Sequence, residues 1–351
     1  MRMNLFKNML SAEESLFINT MALDYDYLPK LLPYREDQQF YLAGCIKPLF
    51  QKRTGRNVLI SGAPGIGKTA ACKFVLRDLE NETKEIAPLY VNCWKRDTAH
   101  KVVLELCEQV GYKWIINKKT DELLQEVLKI LNKKAAVIVL DEIDKLESEQ
   151  IIYQLLEDLN RKCLILITNE KDWLAQLDQR VRSRLIPDII EFKPYNPAET
   201  EGILKQRADY AFMPNAWDAE AFSLVAEKTA ELHDIRAGMF MLRESGTIAE
   251  SKSSRRILLE HAEKAIEKLA SFKIRKPTEL TDEEKEVLTL AKEHADKTSA
   301  EIYDIFNRNS NKSYRTFYRR LKTLEEAGLV EIMDEHAEGG GRVSRINIIK
   351  K

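Results

Sequence analysis

Apolar residues fall into two alternating kinds of segment between residues 56 and 168. Short runs without charged residues indicate buried strands, whereas segments in which apolar residues recur every three or four positions indicate helices. Strands that alternate with helices predict an α/β fold, with a parallel sheet covered by helices on both faces. The predicted strands are 57–61, 88–92, 135–140 and 163–168, and the predicted helices are 68–79, 98–111, 121–131 and 149–159.

The pattern changes after Pro194, because no further strand-like run occurs before about residue 328. Helical periodicity over 198–211, 219–231, 235–249 and 254–269 predicts a small helical lid. Three helical patterns and a hairpin pattern follow, in the order typical of a winged helix, at 282–295, 298–307, 314–327, 330–333 and 342–349. The predicted organisation is a tail or short docking helix over 1–20, an α/β core over 21–193, a lid over 194–272, a linker over 273–281 and a winged-helix DNA-binding domain over 282–351.

The composition narrows the class of protein further. The 55 Lys and Arg residues balance the 56 Asp and Glu residues, so any contact with nucleic acid must be local. The five cysteines are widely spaced and contain no C-x-x-C pair, which supports neither a disulfide framework nor a zinc site. The longest uninterrupted apolar run, 135–140, is far shorter than the roughly 20 residues that a membrane helix needs. We therefore expect a cytoplasmic protein with reduced thiols and no membrane partner.

A glycine-rich segment between a predicted strand and a predicted helix carries the clearest chemistry. Its sequence, G-A-P-G-I-G-K-T, fits the phosphate-loop pattern G-x-x-x-x-G-K-[ST], and the alternative is a chance glycine-rich turn. In such a loop backbone N–H groups surround the phosphates, Lys68 reaches the β- and γ-phosphates, and Thr69 ligates Mg²⁺. The predicted nucleotide-binding residues of this segment are Gly62, Ala63, Pro64, Gly65, Ile66, Gly67, Lys68, Thr69 and Ala70.

Polar residues follow two of the predicted strands. Asp141 and Glu142 come after the strand 135–140, where Asp141 would hold Mg²⁺ and Glu142 would polarise the attacking water. Asn169 follows the strand 163–168 and could bind the γ-phosphate or the attacking water. The alternatives are a solvated helix start for the acidic pair and a helix N-cap for Asn169.

Arginines at two places are candidates for sensing the phosphates. Arg180, Arg182 and Arg184 lie within five residues near the end of the core, where one of them could reach the nucleotide of a neighbouring subunit. Arg236 lies at the start of a lid helix and could couple the γ-phosphate to the lid angle. The alternative in both places is ordinary surface charge.

A local basic patch near the C-terminus predicts contact with duplex DNA. Six basic residues and no acidic one occur over 307–322, although a solvated basic face would give the same pattern. On the predicted helix the apolar positions 317, 321 and 324 share a face, and a basic face opposes it. The glycines at 339–341 would form the tip of a basic wing. The predicted DNA contacts are Ser313, Arg315, Thr316, Arg319 and Lys322 on the helix, and Arg342 and Arg345 on the wing.

In this order the elements resemble the AAA+ ATPases. Segments 23–29, 32–38, 91–93, 139–144, 194–196 and 233–236 further resemble archaeal replication initiators of the cell-division-cycle-six and origin-recognition-complex family. The resemblance implies an ATPase that binds ATP or ADP with Mg²⁺ and hydrolyses slowly. It also implies binding to duplex origin DNA, recruitment of the replicative helicase, and contact with further copies or a paralogue through the arginine-rich edge. In such initiators the segment before the phosphate loop covers the adenine, which places Leu28, Pro29, Pro33 and Tyr34 near the base.

The chain departs from this family at three places, which is typical of a divergent paralogue. Arg184 stands where the family has a small residue, His233 stands where it has a glycine, and the segment after Gly111 is short where the family has a DNA-touching insert. Two other functions share the same domain order: a RuvB-like branch-migration motor, and a transcription or plasmid-control regulator switched by ATP. A further interpretation is that the chain is a nucleotide-binding core whose winged helix binds only proteins and not DNA.

Overall fold

The computed structural model describes residues 15–273, 282–294, 298–310, 313–326, 329–336 and 342–348. These residues form two compact units that divide between Ala262 and Glu263. The predicted linker beyond residue 273, Lys312 of the basic patch and the glycines at 339–341 lie outside the described residues. No helix in the described part of the chain is long and apolar enough to cross a bilayer.

The first unit contains a five-stranded parallel sheet with the strand order β2-β3-β4-β1-β5. Because the strands are parallel, their carboxyl ends meet at one edge, where Asn92 pairs with Asp141 and Ser61 pairs with both Thr168 and Glu191. Four strands were predicted from the sequence, and β5 was not. The strands are β1 (Val58–Ser61), β2 (Ile86–Asn92), β3 (Ala135–Asp141), β4 (Lys162–Thr168) and β5 (Asp188–Glu191).

Helices cover both faces of this sheet and confirm the predicted α/β fold. Alternate residues of the fully buried β3 face opposite sides, with Ile138 in one apolar cluster and Val137 in the other. The cluster around Ile138 is closed by α3, α4 and α5, and the cluster around Val137 is closed by α1 and α2. The helices of the core are α1 (Glu36–Ile46), α2 (Lys68–Glu82), α3 (Ala99–Gln109), α4 (Thr120–Leu131), α5 (Gln150–Asp158), α6 (Trp173–Gln176) and α7 (Gln179–Leu185).

A group of helices follows the core, in the region predicted as a lid. It begins with Asn196, whose side chain accepts from the N–H of Glu199. The Glu199 carboxylate in turn accepts from the N–H of Asn196, and the two residues form a capping box at the N-terminus of the first helix. The last helix begins at Leu259 rather than at the predicted residue 254, because Ile257 is tied to the backbone of Ala216. The helices are α8 (Pro197–Ala211), α9 (Ala219–Leu232), α10 (Ile235–Ser251) and α11 (Leu259–Lys273).

The N-terminal segment packs on these helices. The N–H of Ile18 donates to the carbonyl of Ala211 at 2.8 Å, and the rings of Phe17 and Phe212 lie 4.7 Å apart. A short 3-10 helix, Thr20–Leu23, then rests against α8. The chain thus crosses the lid before it enters the core, and the region from residue 15 to residue 23 is ordered by contact with α8 and α10.

Beyond α11, which crosses the boundary between the units, the described part of the second unit contains three helices and an antiparallel hairpin, in the order expected of a winged helix; that it is a winged-helix DNA-binding domain stays a prediction. Its core includes Phe306, Phe317 and Leu321, which are fully buried. The elements are α12 (Asp282–Glu293), α13 (Ser299–Ser310), α14 (Tyr314–Glu326), β6 (Val330–His336) and β7 (Arg342–Ile348).

Candidate functional site

The glycine-rich loop joins β1 to α2 and admits no side chain at its glycines. Gly62, Gly65 and Gly67 all have positive φ angles, of 149°, 77° and 89°. A Cβ atom on Gly67 would lie 2.5 Å from the hydroxyl oxygen of Tyr195. The loop ends at the N-terminus of α2, a helix of 15 residues whose first N–H groups have no partner within the helix. Such a loop is suited to surround phosphate groups.

Lys68 is the first residue of α2, and hydrogen bonds hold its ammonium group in place. Its Nζ donates to the carbonyls of Gly62 and Ala63, both at 2.7 Å, and to Oδ1 of Asn169 at 2.9 Å. The pKa of Lys68 is lowered to about 8; burial is the main cause, Asp141 opposes the shift, and Arg236 adds to it. A bound phosphate would supply the negative charge that this buried cation lacks.

Three oxygen atoms meet at the end of β3. Oδ2 of Asp141, which is 2% exposed, accepts from the hydroxyl of Thr69 at 2.6 Å and from the hydroxyl of Tyr90 at 2.8 Å. In the described part of the chain no three acidic, histidine or cysteine side chains form a metal cage. One hydroxyl and one carboxylate beside a phosphate loop suit Mg²⁺, which keeps several waters and takes further ligands from phosphate oxygens.

Glu142 follows in a left-handed backbone conformation, with φ of 54°. Its N–H donates to Oδ1 of Asp141 at 2.9 Å. Burial raises the pKa of Glu142, Asp141 and Asp144 raise it further, and a hydrogen bond from Asn92 opposes the rise. A partly buried carboxylate of raised pKa is suited to accept a proton from water.

Asn169 lies beside Lys68, and its contact with the γ-phosphate or the attacking water stays a prediction. Its N–H is 3.4 Å from Oδ1 of Asp144, which also accepts from the hydroxyl of Thr168 at 3.0 Å. The next helix, α6, begins only at Trp173, and Asp172 occupies its N-cap position. Asn169 is therefore not a helix N-cap, which excludes the alternative interpretation of this residue.

A cleft between the loop and the lid helices continues from the phosphate site. Its walls include Leu28, Pro29 and Pro33 from the N-terminal segment, together with lid residues such as Met239. Tyr34 is not among the residues that line this cleft, and its contact with the base stays a prediction. The Tyr34 hydroxyl lies against Gly202 of α8, where a Cβ would collide with it.

Arg236 lines the same cleft from the first turn of α10. Its guanidinium forms two hydrogen bonds to Asp234, at 3.0 and 3.1 Å, and this pairing raises the pKa of Arg236. The N–H of Ile235 donates to the carbonyl of Gly65 at 3.2 Å, so the start of α10 touches the phosphate loop directly. The structure thus brings the predicted lid arginine to the predicted phosphate site.

The three clustered arginines lie on α7, outside the walls of this cleft. The side chain of Arg180 is 80% exposed and lies 3.4 Å from Asp178. Arg184 is more restrained, because it binds Glu157 at 2.6 Å and lies over the ring of Tyr153. Arg180 is therefore better placed than Arg184 to reach a neighbouring molecule.

Several residues of the site were missed from the sequence. Tyr90 and Asn92 contact the two acids from the neighbouring strand β2, and the position of Asn92 at a strand end was an available signal. Arg207 donates from α8 to the carbonyl of Tyr27 at 3.1 Å and lines the cleft. Arg35 donates to the carbonyl of Ile66 at 2.9 Å. Spacing along the chain gives no signal for either arginine, because their acceptors are backbone carbonyls of distant segments.

The predicted DNA face lies on α14 in the second unit. Ser313 precedes the helix and its Oγ accepts from the N–H of Thr316 at 3.4 Å, while Arg319 is exposed. Lys322 binds Glu325 at 2.6 Å, and Arg320 binds Glu283 at 2.9 Å and so contributes to the fold of the unit. Arg345 is exposed on β7; the side chains of Arg315 and Arg342 lie outside the described residues.

Comparisons with known proteins agree with this geometry. The AAA domain family matches residues 51–172, and the Cdc6 AAA+ ATPase-type lid domain matches residues 201–267. ORC1-type DNA replication protein 1 of Archaeoglobus fulgidus is 32% identical over 99% of this chain and 90% of that protein. ORC1-type DNA replication protein 2 of Methanosarcina mazei is 30% identical over 96% and 94%. The structure is similar to that of the Aeropyrum pernix ORC1 protein in complex with DNA, with a TM-score of 0.73, 27% identity, and coverage of 97% of this chain and 94% of that one.

Proposed function

The chain belongs to the family of ORC1-type DNA replication proteins, and on this premise we propose that it is an initiator of DNA replication switched by ATP. It binds duplex origin DNA and helps to recruit the replicative helicase. ATP binding and slow hydrolysis to ADP and phosphate set its state. It acts in the cytoplasm, in association with the nucleoid.

One observation carries the proposal: the phosphate loop, the acidic strand end and a lid arginine face the same cleft. Lys68 binds the β- and γ-phosphates, and Thr69 and Asp141 hold Mg²⁺. When bound, Mg²⁺ neutralises charge on the phosphate oxygens. Glu142 orients the attacking water and accepts its proton, while Asn169 and Arg236 bind the γ-phosphate.

The contact between Ile235 and Gly65 supports the use of ATP as a switch. Because the first turn of α10 hydrogen-bonds the phosphate loop, a change in the loop is transmitted to the lid helices. Arg236 adds a response to the γ-phosphate itself. An arginine of α7 from another copy or a paralogue completes the site, since the exposed Arg180 lies outside its own cleft.

The basic side of α14 supports binding to duplex DNA. Arg319 is exposed, Ser313 and Thr316 lie at the N-terminal end, and β6 and β7 form a hairpin beside the helix. In this arrangement the helix reads the major groove, and the hairpin lies against the backbone or the minor groove.

Mapping of the bound DNA across the native genome tests the proposal. We expect the protein to occupy one or a few sites that coincide with the position where replication starts, measured by marker frequency in growing cells. Occupancy of a promoter without replication start would identify a regulator instead. Migration of four-way junctions by the purified protein would identify a branch-migration motor.

A further inference from the structure

Arg35 connects three segments of the first unit, one of which is the phosphate loop. It immediately precedes α1 and is 5% exposed. Its Nη2 donates to the carbonyl of Ile66 at 2.9 Å and to the carbonyl of Lys193 at 2.7 Å, and its Nε lies 3.3 Å from the same Ile66 oxygen. Ile66 belongs to the phosphate loop, and Lys193 lies in the segment that leads from β5 to the lid.

The ring of Tyr195 extends this connection. The guanidinium carbon of Arg35 lies 3.8 Å from the centre of that ring. The Tyr195 hydroxyl lies against Gly67, the residue after Ile66. The lid helix α8 is capped by Asn196, the residue after Tyr195. Arg35 and Tyr195 thus touch the phosphate loop at two adjacent places and hold the start of the lid to it.

The chemistry of these contacts requires an arginine. Within the described residues no carboxylate lies within salt-bridge distance of Arg35, so its buried charge is met only by neutral carbonyls and aromatic faces. A buried cation without a carboxylate is costly, and an apolar side chain would fill the same space at a lower cost. What the apolar side chain lacks is a planar set of donors that can bind two chain segments at once. An apolar side chain also lacks the positive charge that Arg35 places against the phosphate loop.

We propose that Arg35 is a positioning residue that assembles the phosphate loop and fixes the lid to it before nucleotide binds. The inference rests on the proposed nucleotide site and adds to it a residue that acts through Ile66 and Lys193. It predicts that loss of Arg35 weakens the part of binding that depends on phosphate and leaves the part that depends on the base almost unchanged.

Affinities for ADP and for adenosine, measured by competition with a fluorescent nucleotide, separate these two parts. We expect Arg35→Met to weaken ADP binding by about 10- to 100-fold, since up to three charge-assisted hydrogen bonds are lost, and Arg35→Lys to weaken it less. Adenosine affinity should change by less than about twofold in both variants, because adenosine has no phosphate to bind the loop. Arg53→Met, which changes an exposed arginine, is the matched control and should behave as wild type.

The position of the lid provides a second measurement. The five native cysteines are buried, so cysteines introduced at the exposed Lys84 and Glu220 can be spin-labelled selectively. In the otherwise wild-type protein the distance distribution between core and lid should narrow when ADP binds. In Arg35→Met it should stay broad at ADP concentrations that saturate the variant.

Two results would overturn the role of Arg35. One is wild-type affinity for ADP in both variants, and the other is an equal loss of affinity for ADP and adenosine, which indicates only a general effect on the fold. If Arg35→Met does not fold, Arg35→Lys alone decides between these outcomes. Lys68→Ala is measured in parallel: if it retains wild-type ADP affinity, the nucleotide site itself is wrong, whereas its loss of affinity beside an unaffected Arg35→Met removes only the role of Arg35.

Discussion

The ammonium group of Lys68 donates a hydrogen bond to the side-chain oxygen of Asn169 at 2.9 Å. The two residues lie 101 positions apart, one at the start of α2 and the other just beyond β4. Their contact places the residue expected to bind phosphate beside the residue expected to sense it. The expected effects of the site residues on binding and on turnover can be separated by mutation.

Lys68→Ala and Glu142→Gln should affect different steps. Lys68→Ala removes a charge-assisted contact with phosphate and should weaken ATP binding by about 10- to 100-fold. Glu142→Gln leaves that contact intact, so it should bind ATP as wild type does and lose turnover, because the amide does not accept the proton of water. Equilibrium binding and single-turnover hydrolysis measure the two effects. Equal loss of binding in both variants would contradict the assigned roles.

Tyr90→Phe should change the dependence on Mg²⁺. The Tyr90 hydroxyl holds Oδ2 of Asp141, so its loss frees the carboxylate to turn away from the metal. Side chains that hydrogen-bond to a metal ligand typically contribute about tenfold to metal affinity. We expect the Mg²⁺ concentration for half-maximal ATP binding to rise by about that factor, while affinity without Mg²⁺ is unchanged. Tyr112→Phe, a tyrosine away from the cleft, is the control, and an unchanged Mg²⁺ titration would exclude this role of Tyr90.

Nucleotide binding should take up a proton above neutral pH. The pKa of Lys68 is lowered to about 8 by burial, and bound phosphate favours the protonated form, so binding raises this pKa. For ADP without Mg²⁺ we expect Lys68 to take up about one proton at pH 9 and almost none at pH 6.5, and the affinity to fall as pH rises through 8. Calorimetry in buffers of different ionisation enthalpy measures the uptake. Zero uptake at pH 9 would show that Lys68 is already fully charged in the free protein.

Hydrolysis should require a neighbouring subunit. The exposed Arg180 lies outside its own cleft, and we expect Arg180→Ala to bind ATP normally and to lose most turnover. Mixing it with Lys68→Ala should restore part of the activity, because each protein supplies the half of the site that the other lacks. The control is a protein that carries both Arg180→Ala and Lys68→Ala, which should stay inactive at the same total concentration. Normal turnover of Arg180→Ala at all concentrations and on DNA would rule out an arginine supplied in trans.

The basic side of α14 should determine the salt dependence of DNA binding. Replacing Arg319 and Lys322 by Ala should weaken binding to all duplex sequences and reduce the slope of log affinity against log salt by about one for each phosphate contact. Lys292→Ala changes an exposed lysine of α12 and should leave the slope unchanged. Unaltered binding by the double variant would place the DNA site elsewhere.

The sequence predicted the central strands well and the edge strand not at all. Every residue of β3 is buried, so it appears as an uninterrupted apolar run. β5 has only four residues, begins with Asp188 and ends with Glu191, and is partly exposed along its length, so it lacks both features that identify a strand. It pairs with β1 through backbone hydrogen bonds, which the side-chain pattern does not record.

The residues of the candidate site also fall into two groups, those that the sequence indicates and those that it does not. The residues of the phosphate loop follow one another in the sequence, and so do the two residues of the acidic pair. The order of residues within each motif therefore indicates its chemistry. The contacts of Arg35 and Arg207 depend on which backbone carbonyls the fold brings within reach, and these are 31 to 185 positions away. The place of the Tyr34 side chain depends on the fold in the same way, because its hydroxyl lies against Gly202, where the absence of a Cβ leaves room for it.

The path of the N-terminal segment bears on how long a nucleotide stays bound. Residues 24–29 form part of the wall of the cleft, and the chain just before them is fastened to the lid by the paired rings of Phe17 and Phe212. Arg207 of the lid also binds the carbonyl of Tyr27. We therefore expect this wall and the lid helices to move together when a nucleotide is released. In that case the residence time of the nucleotide follows the rate of this movement, and the protein changes state at a rate that depends on nucleotide exchange as well as on hydrolysis.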